Sequence, residues 1–481
     1  MSGAVSQPAA LAMRWRAVQL AGIQAIYFLR LLILAKLLAP DAFGLLAIAM
    51  IAISVLMRLS DIGIIPALVQ RRDVTLAQQD AAWTVGLTRA ALIVFALVLA
   101  APAIARLFSE PAAVPIIQVL ALRPLIDASA SIGVARLTRE LKFRELALVY
   151  LPGACADLVV AVVMAPKMGV WARVAGALVG SAVTVGVSYG VAPQRPRIRL
   201  AWRGVLPLVN FGRWVLLAGV ATLAGTLVTQ LAVSRVLGAT ALGIYFLALK
   251  LAFLPVEAAA SIVGSVAFPM FSGLRDDIAA TARSFGTLLA GLGLLLLPVY
   301  ALLVALAPAL EEALGARWIG TAPIVRILAL AGVAAILADL LAPLLMGRGQ
   351  PARVFLLEAL QTAVLIAVLW PCIAFFGVEG AALACLTGNC AALMLAAIWA
   401  RRLMPGVLTA AQRRFSAAVL AALTAYGVAS FLAVQWSGFP GLMAGAAAGA
   451  LSAAAVLWLL NARLGLALGE YRSLLRGAGD A

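Results

Sequence analysis

The residues able to do chemistry in this chain stand where charge is hardest to keep. Arg30, Lys36, Arg58, Arg89, Arg123 and Lys250 fall within or beside long apolar stretches, as do Asp61, Asp127, Asp157, Glu257 and Asp339, with Glu358 close to the start of another. An ionised group at the depth of hydrocarbon costs several kcal/mol and is retained where it is paired or faces water. Arg58 and Asp61 stand three apart and Arg123 and Asp127 four apart, so each couple shares one helix face and can neutralise itself. Arg30 has no acid within a turn and lies roughly 20 Å into its apolar span at 1.5 Å per residue. Arg89, about 12 Å into another span, is likewise without a local acid, and Lys250 has only Glu257, two turns away on the same face. Lys36 and Arg89 are near enough to an interface to snorkel; Arg30 is not, which predicts a water-filled cavity lined by cations.

Such a cavity calls for an anionic substrate, since guanidinium matches phosphate through paired hydrogen bonds. Carboxylates sheltered from bulk water can exchange a proton or bind Na⁺ as a cavity changes its access, so Asp61, Asp127, Asp157, Glu257 and Asp339 are candidates for ion coupling or for balancing the arginines. Asp157, with no base within a turn, is the best coupling candidate, and the coupling ion would be Na⁺ or H⁺. No resident cofactor is expected. The chain has no His, and its four cysteines show neither CxxC spacing nor any metal-ligand pattern, so no metal site, disulfide framework or catalytic residue set is predicted.

These groups are set in 481 residues that are 65% hydrophobic and only 11% charged, with mean hydropathy +1.10. A soluble protein of that composition would lack the polar surface to cover its cores, so the chain is predicted to be an all-α polytopic membrane protein. Apolar spans are predicted over 17–38, 43–69, 81–105, 114–135, 146–166, 171–192, 214–237, 242–270, 286–307, 322–346, 353–376, 378–400, 415–436 and 439–462, about fourteen in all. The stretch before Arg14 and Arg16 has no basic region ahead of an apolar run, so the first span is expected to stay rather than be cleaved.

The spans repeat. Lys36 to Gly44 is echoed by Arg235 to Gly243, Ala101-Pro102-Ala103 by Ala307-Pro308-Ala309, Pro115 by Pro323 and Gly169-Val170 by Gly377-Val378, in the same order and at steps of 199 to 208 residues. Two homologous six-helix lobes follow, 13–200 and 205–402, with two extra peripheral helices over 413–462. An even number of spans per repeat puts the pseudo-twofold along the membrane normal, with a cavity between the lobes. The proline- and arginine-rich stretch over 192–202 is the expected linker.

Lys and Arg concentrate in alternate loops, among them Arg71 and Arg72, Arg136 to Arg144, Arg195 to Arg203, Arg401 and Arg402, which predicts that both termini are cytoplasmic. This bias accounts for most of the net charge of +17, as topology and affinity for anionic membrane lipids, and leaves no case for nucleic-acid binding.

The stretch LAKLLAPDAFGLLAIA, followed by SDIGIIPALVQRRD on the next helix, resembles the opening of the Wzx-type oligosaccharide flippases, in the polysaccharide transporter branch of the superfamily that also holds lipid II flippases and multidrug exporters. The resemblance covers the first four spans closely and the rest loosely. It implies a non-enzymatic carrier in the bacterial inner membrane. The carrier would move undecaprenyl-pyrophosphate-linked oligosaccharide repeat units to the outer leaflet by alternating access, for exopolysaccharide, O-antigen or capsule, alongside polymerase and export machinery. In related flippases, basic residues of the first, second and eighth helices hold the pyrophosphate, and the matching positions here are Arg30 or Lys36, Arg58 and Lys250. Two other readings compete. A cation-coupled multidrug antiporter would share the fold but favour acids in its cavity, and a membrane glycan polymerase or ligase would need a larger outer loop than any here.

Overall fold

A computed structural model describes residues 6–60, 76–140, 142–198, 209–274, 277–404, 407–436 and 438–464, and among these the regular structure is helical throughout. The first compact unit, residues 1–243, holds α1 (Ser6–Leu37), α2 (Pro40–Leu59), α3 (Leu76–Leu107), the short α4 (Ala113–Leu120), α5 (Leu122–Ala128) and α6 (Gly133–Arg139), then α7 (Phe143–Met168) and α8 (Val170–Val191). Helix α9 (Val209–Gly273) begins in this unit and ends in the second, residues 244–481. The second unit continues with α10 (Ile278–Leu314), α11 (Thr321–Asp339), α12 (Leu341–Gly347), α13 (Pro351–Leu403), α14 (Val407–Gln435) and α15 (Gly438–Leu464).

Eleven of the described helices are long and apolar enough to cross a membrane, or twelve if the bent run from Ala113 to Arg139 is one span. Two of them are long enough for two crossings of about 30 Å each: the apolar part of α9, 44 residues, and α13, 53 residues. Each is interrupted by a glycine outside helical geometry, Gly238 (φ 87°, ψ 176°) in α9 and Gly377 (φ 57°, ψ −130°) in α13.

What is buried confirms the solvent. Small residues line the contacts, as with Ala421, Ala425 and Ala429 of α14, all wholly buried one turn apart, while Leu92, Phe95 and Leu99 of α3 and Phe375 of α13 face outward, the last 82% exposed. Large apolar side chains turned outward on every long helix suit lipid, and small ones at helix contacts let backbones approach closely.

In the first unit α1 packs along α7, α7 along α8, and α2 and α3 against α4. A β-carbon on Gly44 would run into the carbonyl of Ala239, and one on Gly243 into that of Pro40, so the start of α2 and the stretch of α9 after Gly238 cross backbone to backbone. Both contacts join residues 199 positions apart in the repeat to each other's partners, as a local twofold requires. The single span expected over 114–135 is instead bent by 64° between Ala128 and Gly133. The freed backbone groups find partners: Tyr189 Oη donates to Ser129 O at 2.9 Å, Trp83 Nε1 donates to Ala130 O at 3.1 Å, and Ser131 N–H donates to Ser188 Oγ at 3.0 Å. A helix can break at membrane depth only when its backbone groups are satisfied in this way.

In the second unit α10 is the hub, flanked by α11, α14 and α15, and α11 packs on α13. Gly293 of α10 leaves room for the Phe415 ring, and Gly445 of α15 for Leu306. The last two helices therefore lie on α10 through their small residues and present Leu423, Phe431, Leu451 and Trp458 outward. A cavity of about 520 Å³, almost wholly apolar, opens between Phe285, Leu289, Leu337, Leu393, Ala397 and Val419.

Candidate functional site

The structure gathers Arg30, Asp157 and Arg173 into one buried cluster in the first unit. Asp157 and Arg173 come from a hairpin, α7 and α8, folded tightly about Gly169 (φ 55°, ψ −129°). A backbone there in a region that side-chain-bearing residues avoid explains the glycine. The seam of the hairpin is stripped of side chains: a β-carbon on Gly176 would stand 2.7 Å from Asp157 O, and one on Gly180 2.7 Å from both Asp157 Cβ and Gly153 O. Gly176 and Gly180 form a GxxxG pattern, which brings two helix backbones together. Asp157 is thus clamped against α8, and its side chain is 6% exposed.

Into this seam two guanidinium groups reach. Arg173, one turn nearer the hairpin bend than Gly176, donates from Nη1 to Asp157 Oδ1 at 3.1 Å. Arg30, two turns from the C-terminal end of α1, donates from Nη1 to Asp157 Oδ2 and lies over the ring of Tyr27, 4.6 Å from its centroid. Each carboxylate oxygen is taken by a different arginine, and both arginine side chains are 13% exposed. Two cations and one anion leave the cluster one positive charge in excess. Such an excess in low dielectric is held by further hydrogen bonds or by an incoming anion.

The other candidate residues are placed as follows. Arg123 and Asp127 form an i,i+4 pair at 3.6 Å, and Lys250 and Glu257 a pair at 3.4 Å, all four side chains a third to a half exposed. Arg58 is exposed at the end of α2, its guanidinium against α9 where Gly219 leaves it room, 3.2 Å from Nε to a β-carbon there. Asp61, its expected partner, lies outside the described residues. Arg89 donates to Ser60 O at 3.3 Å, which fixes it near the end of α2. Lys36 closes α1, Asp339 closes α11, and Glu358 lies on α13. Among the described residues no group of His, Cys, Asp and Glu is arranged to hold a metal ion.

Arg173 is the member of the cluster that sequence reading missed, and Asp157 is not the base-free acid its own helix suggests. The signal was present in the Gly169 turn, which reflects α7 onto α8 and brings a base 16 positions away within reach of Asp157.

Comparison with known proteins gives the chain a family. The chain is 24% identical over 341 residues to the lipopolysaccharide biosynthesis protein WzxC of Escherichia coli (strain K12), covering 70% of this chain and 69% of the relative. It is 25% identical over 375 residues to the succinoglycan biosynthesis transport protein ExoT of Rhizobium meliloti (strain 1021), covering 75% and 76%. Its fold is that of the lipid II flippase MurJ in an inward closed conformation, with TM-score 0.70 at 15% identity over 95% of this chain and 99% of the other. It is also that of an inward-facing multidrug resistance MATE family transporter, with TM-score 0.66 at 17% identity over 80% and 96%. Residues 33–323, which include the opening hairpin, match the family described as polysaccharide biosynthesis protein, and the chain belongs to that family.

Proposed function

We propose that this protein is a flippase that carries undecaprenyl-pyrophosphate-linked oligosaccharide repeat units from the cytoplasmic to the outer leaflet of the bacterial inner membrane, by alternating access. The observation that carries the reading is the cluster of Arg30, Arg173 and Asp157, a net cationic group inside an apolar helical scaffold. The names of relatives that serve lipopolysaccharide and succinoglycan assembly support the class of cargo. Counting α9 and α13 as two crossings each and the bent run as one brings the spans to fourteen, with both termini cytoplasmic. Arg30 grips the pyrophosphate, helped by Arg58 at the end of α2. The role is transport rather than catalysis. A multidrug antiporter would use a net acidic site, and the cluster in the first unit is net basic.

The test is a deletion strain, which should lose polymer at the surface and accumulate the lipid-linked intermediate. Complementation with Arg30→Ala should fail at a normal protein level in the membrane. Arg30→Lys keeps the charge but not the paired donor geometry, and should restore export in part. Full export by Arg30→Ala would remove the arginine from the mechanism. Cysteine labelling that placed the 192–202 segment outside the cell would reverse the orientation.

A further inference from the structure

We infer that Asp157 is an internal stand-in for the substrate's phosphate: it occupies the guanidinium of Arg30 in the empty carrier, yields it to the incoming diphosphate, and takes it back on release. The inference rests on the proposed pyrophosphate cargo and adds to it a device for letting go.

The geometry gives three grounds. Asp157 binds each arginine through a single Nη1 donor. A guanidinium has five N–H donors in a planar fork, so among the described residues each arginine keeps four that the carboxylate does not engage. A diphosphate, with more acceptor oxygens and more charge than one carboxylate, can take those donors in pairs. Next, the two arginines are held unequally. Arg173 shares the hairpin with Asp157, and the glycine seam at Gly153, Gly176 and Gly180 fixes one helix on the other. Arg30 arrives from a separate helix, α1, where its guanidinium lies over the ring of Tyr27. The exchange therefore parts Arg30 from Asp157 and leaves Arg173 in place to hold the acid. Finally, the carboxylate is 6% exposed and Arg30 13% exposed, so the cation offers an incoming anion the larger accessible share of its side chain.

A carrier that grips a highly charged headgroup with bare arginines would bind it and stall. A competing carboxylate at fixed distance lowers apparent affinity by the fraction of time it holds Arg30, and the same competition speeds release. No bond is formed or broken and no proton need move.

The experiment uses the full chain in nanodiscs, with farnesyl diphosphate as the probe and export measured in the complemented deletion strain. Asp157→Asn keeps the shape of the acid and removes its hold on Arg30. It should bind the probe about tenfold more tightly than wild type, which corresponds to a carboxylate that occupies Arg30 about nine-tenths of the time, and it should export less per molecule. Asp157→Asn with Arg173→Gln, which restores the net charge of the wild-type cluster, should also bind more tightly, and it replaces the single variant as the decisive measurement if that one fails to accumulate. Binding equal to or weaker than wild type in the accumulating variant overturns the exchange. Arg30→Ala separates the two layers of argument. If wild type binds the probe and Arg30→Ala does not, while Asp157→Asn binds no better, the exchange fails and the pyrophosphate site stands. If wild type does not bind the probe, both fail.

Discussion

The hairpin of α7 and α8 and the hairpin within α13 are built on one plan and filled with different chemistry. Both turn at a glycine in the same unusual geometry, Gly169 at φ 55°, ψ −129° and Gly377 at φ 57°, ψ −130°, 208 positions apart. Both are sealed by a glycine against the same two neighbours in register. A β-carbon on Gly180 would press on Gly153 O and Asp157 Cβ, and one on Gly388 would stand 2.7 Å from Gln361 O and 3.1 Å from Leu365 Cβ. In the first hairpin the clamped residue is Asp157, with Arg173 above it; in the second the same places hold Leu365 and Ala381, both buried. The second hairpin holds a neutral pair, Gln361 Nε2 donating to Asn389 Oδ1 at 3.1 Å. The two hairpins thus share what the backbone needs and differ in the side chains of the seam: the first carries a buried ion cluster where the equivalent places in the second are apolar.

That contrast can be broken from the first hairpin. Asp157→Leu writes the second hairpin's residue into the first and strands Arg30 and Arg173, at a cost of about 3–5 kcal/mol, the penalty for leaving a buried charge unpaired. Membrane-inserted protein should fall sharply on a blot. The triple change Arg30→Met, Asp157→Leu and Arg173→Ala should restore the amount of protein, since apolar replacements of buried ionic groups are often neutral or stabilising, without restoring export. Recovery of export by the triple variant would show that the charges serve packing only.

Leu365→Ala probes the other side. It opens a cavity in the apolar seam and should destabilise the protein by about 2–4 kcal/mol, read as a lowered unfolding temperature in detergent, while the binding of a diphosphate probe is unchanged. A loss of probe binding at a folded state would mean that the second hairpin takes part in the site.

Gly180→Ala and Gly388→Ala test the shared register. Each adds a methyl where the neighbouring helix already stands, so each should cost about 1–3 kcal/mol, and the two should cost alike. Only Gly180→Ala should also disturb export, because only there does the displaced residue hold two arginines.

The smallest effects belong to the turns. Gly169→Ala and Gly377→Ala meet no neighbour within 4 Å, so the penalty is conformational alone, about 1–2 kcal/mol for each in equilibrium unfolding. A difference of more than a factor of two between them would mean that the two turns are not equivalent.

Much of this was legible in the chain. Apolar runs of some 20 residues marked the membrane helices, and Gly169-Val170 with its echo Gly377-Val378 marked two tight turns of one geometry, because helix length and glycine conformation are local requirements. The i,i+4 pair of Arg123 and Asp127 was legible for the same reason. The bend after Ala128 was not, since its donors, Trp83 and Tyr189, belong to other helices.

The sequence by itself determined that arginines and acids lie at membrane depth and that Arg30 needs an anion which its own helix does not supply. Only the tertiary structure decided which one. Asp157 stands 127 positions from Arg30, and Arg173 joins them through the Gly169 turn and the glycine seam. Pairing between helices depends on their rotation and register, which are set by how small residues let backbones approach, and residue type along one helix carries no record of the face its neighbour will present.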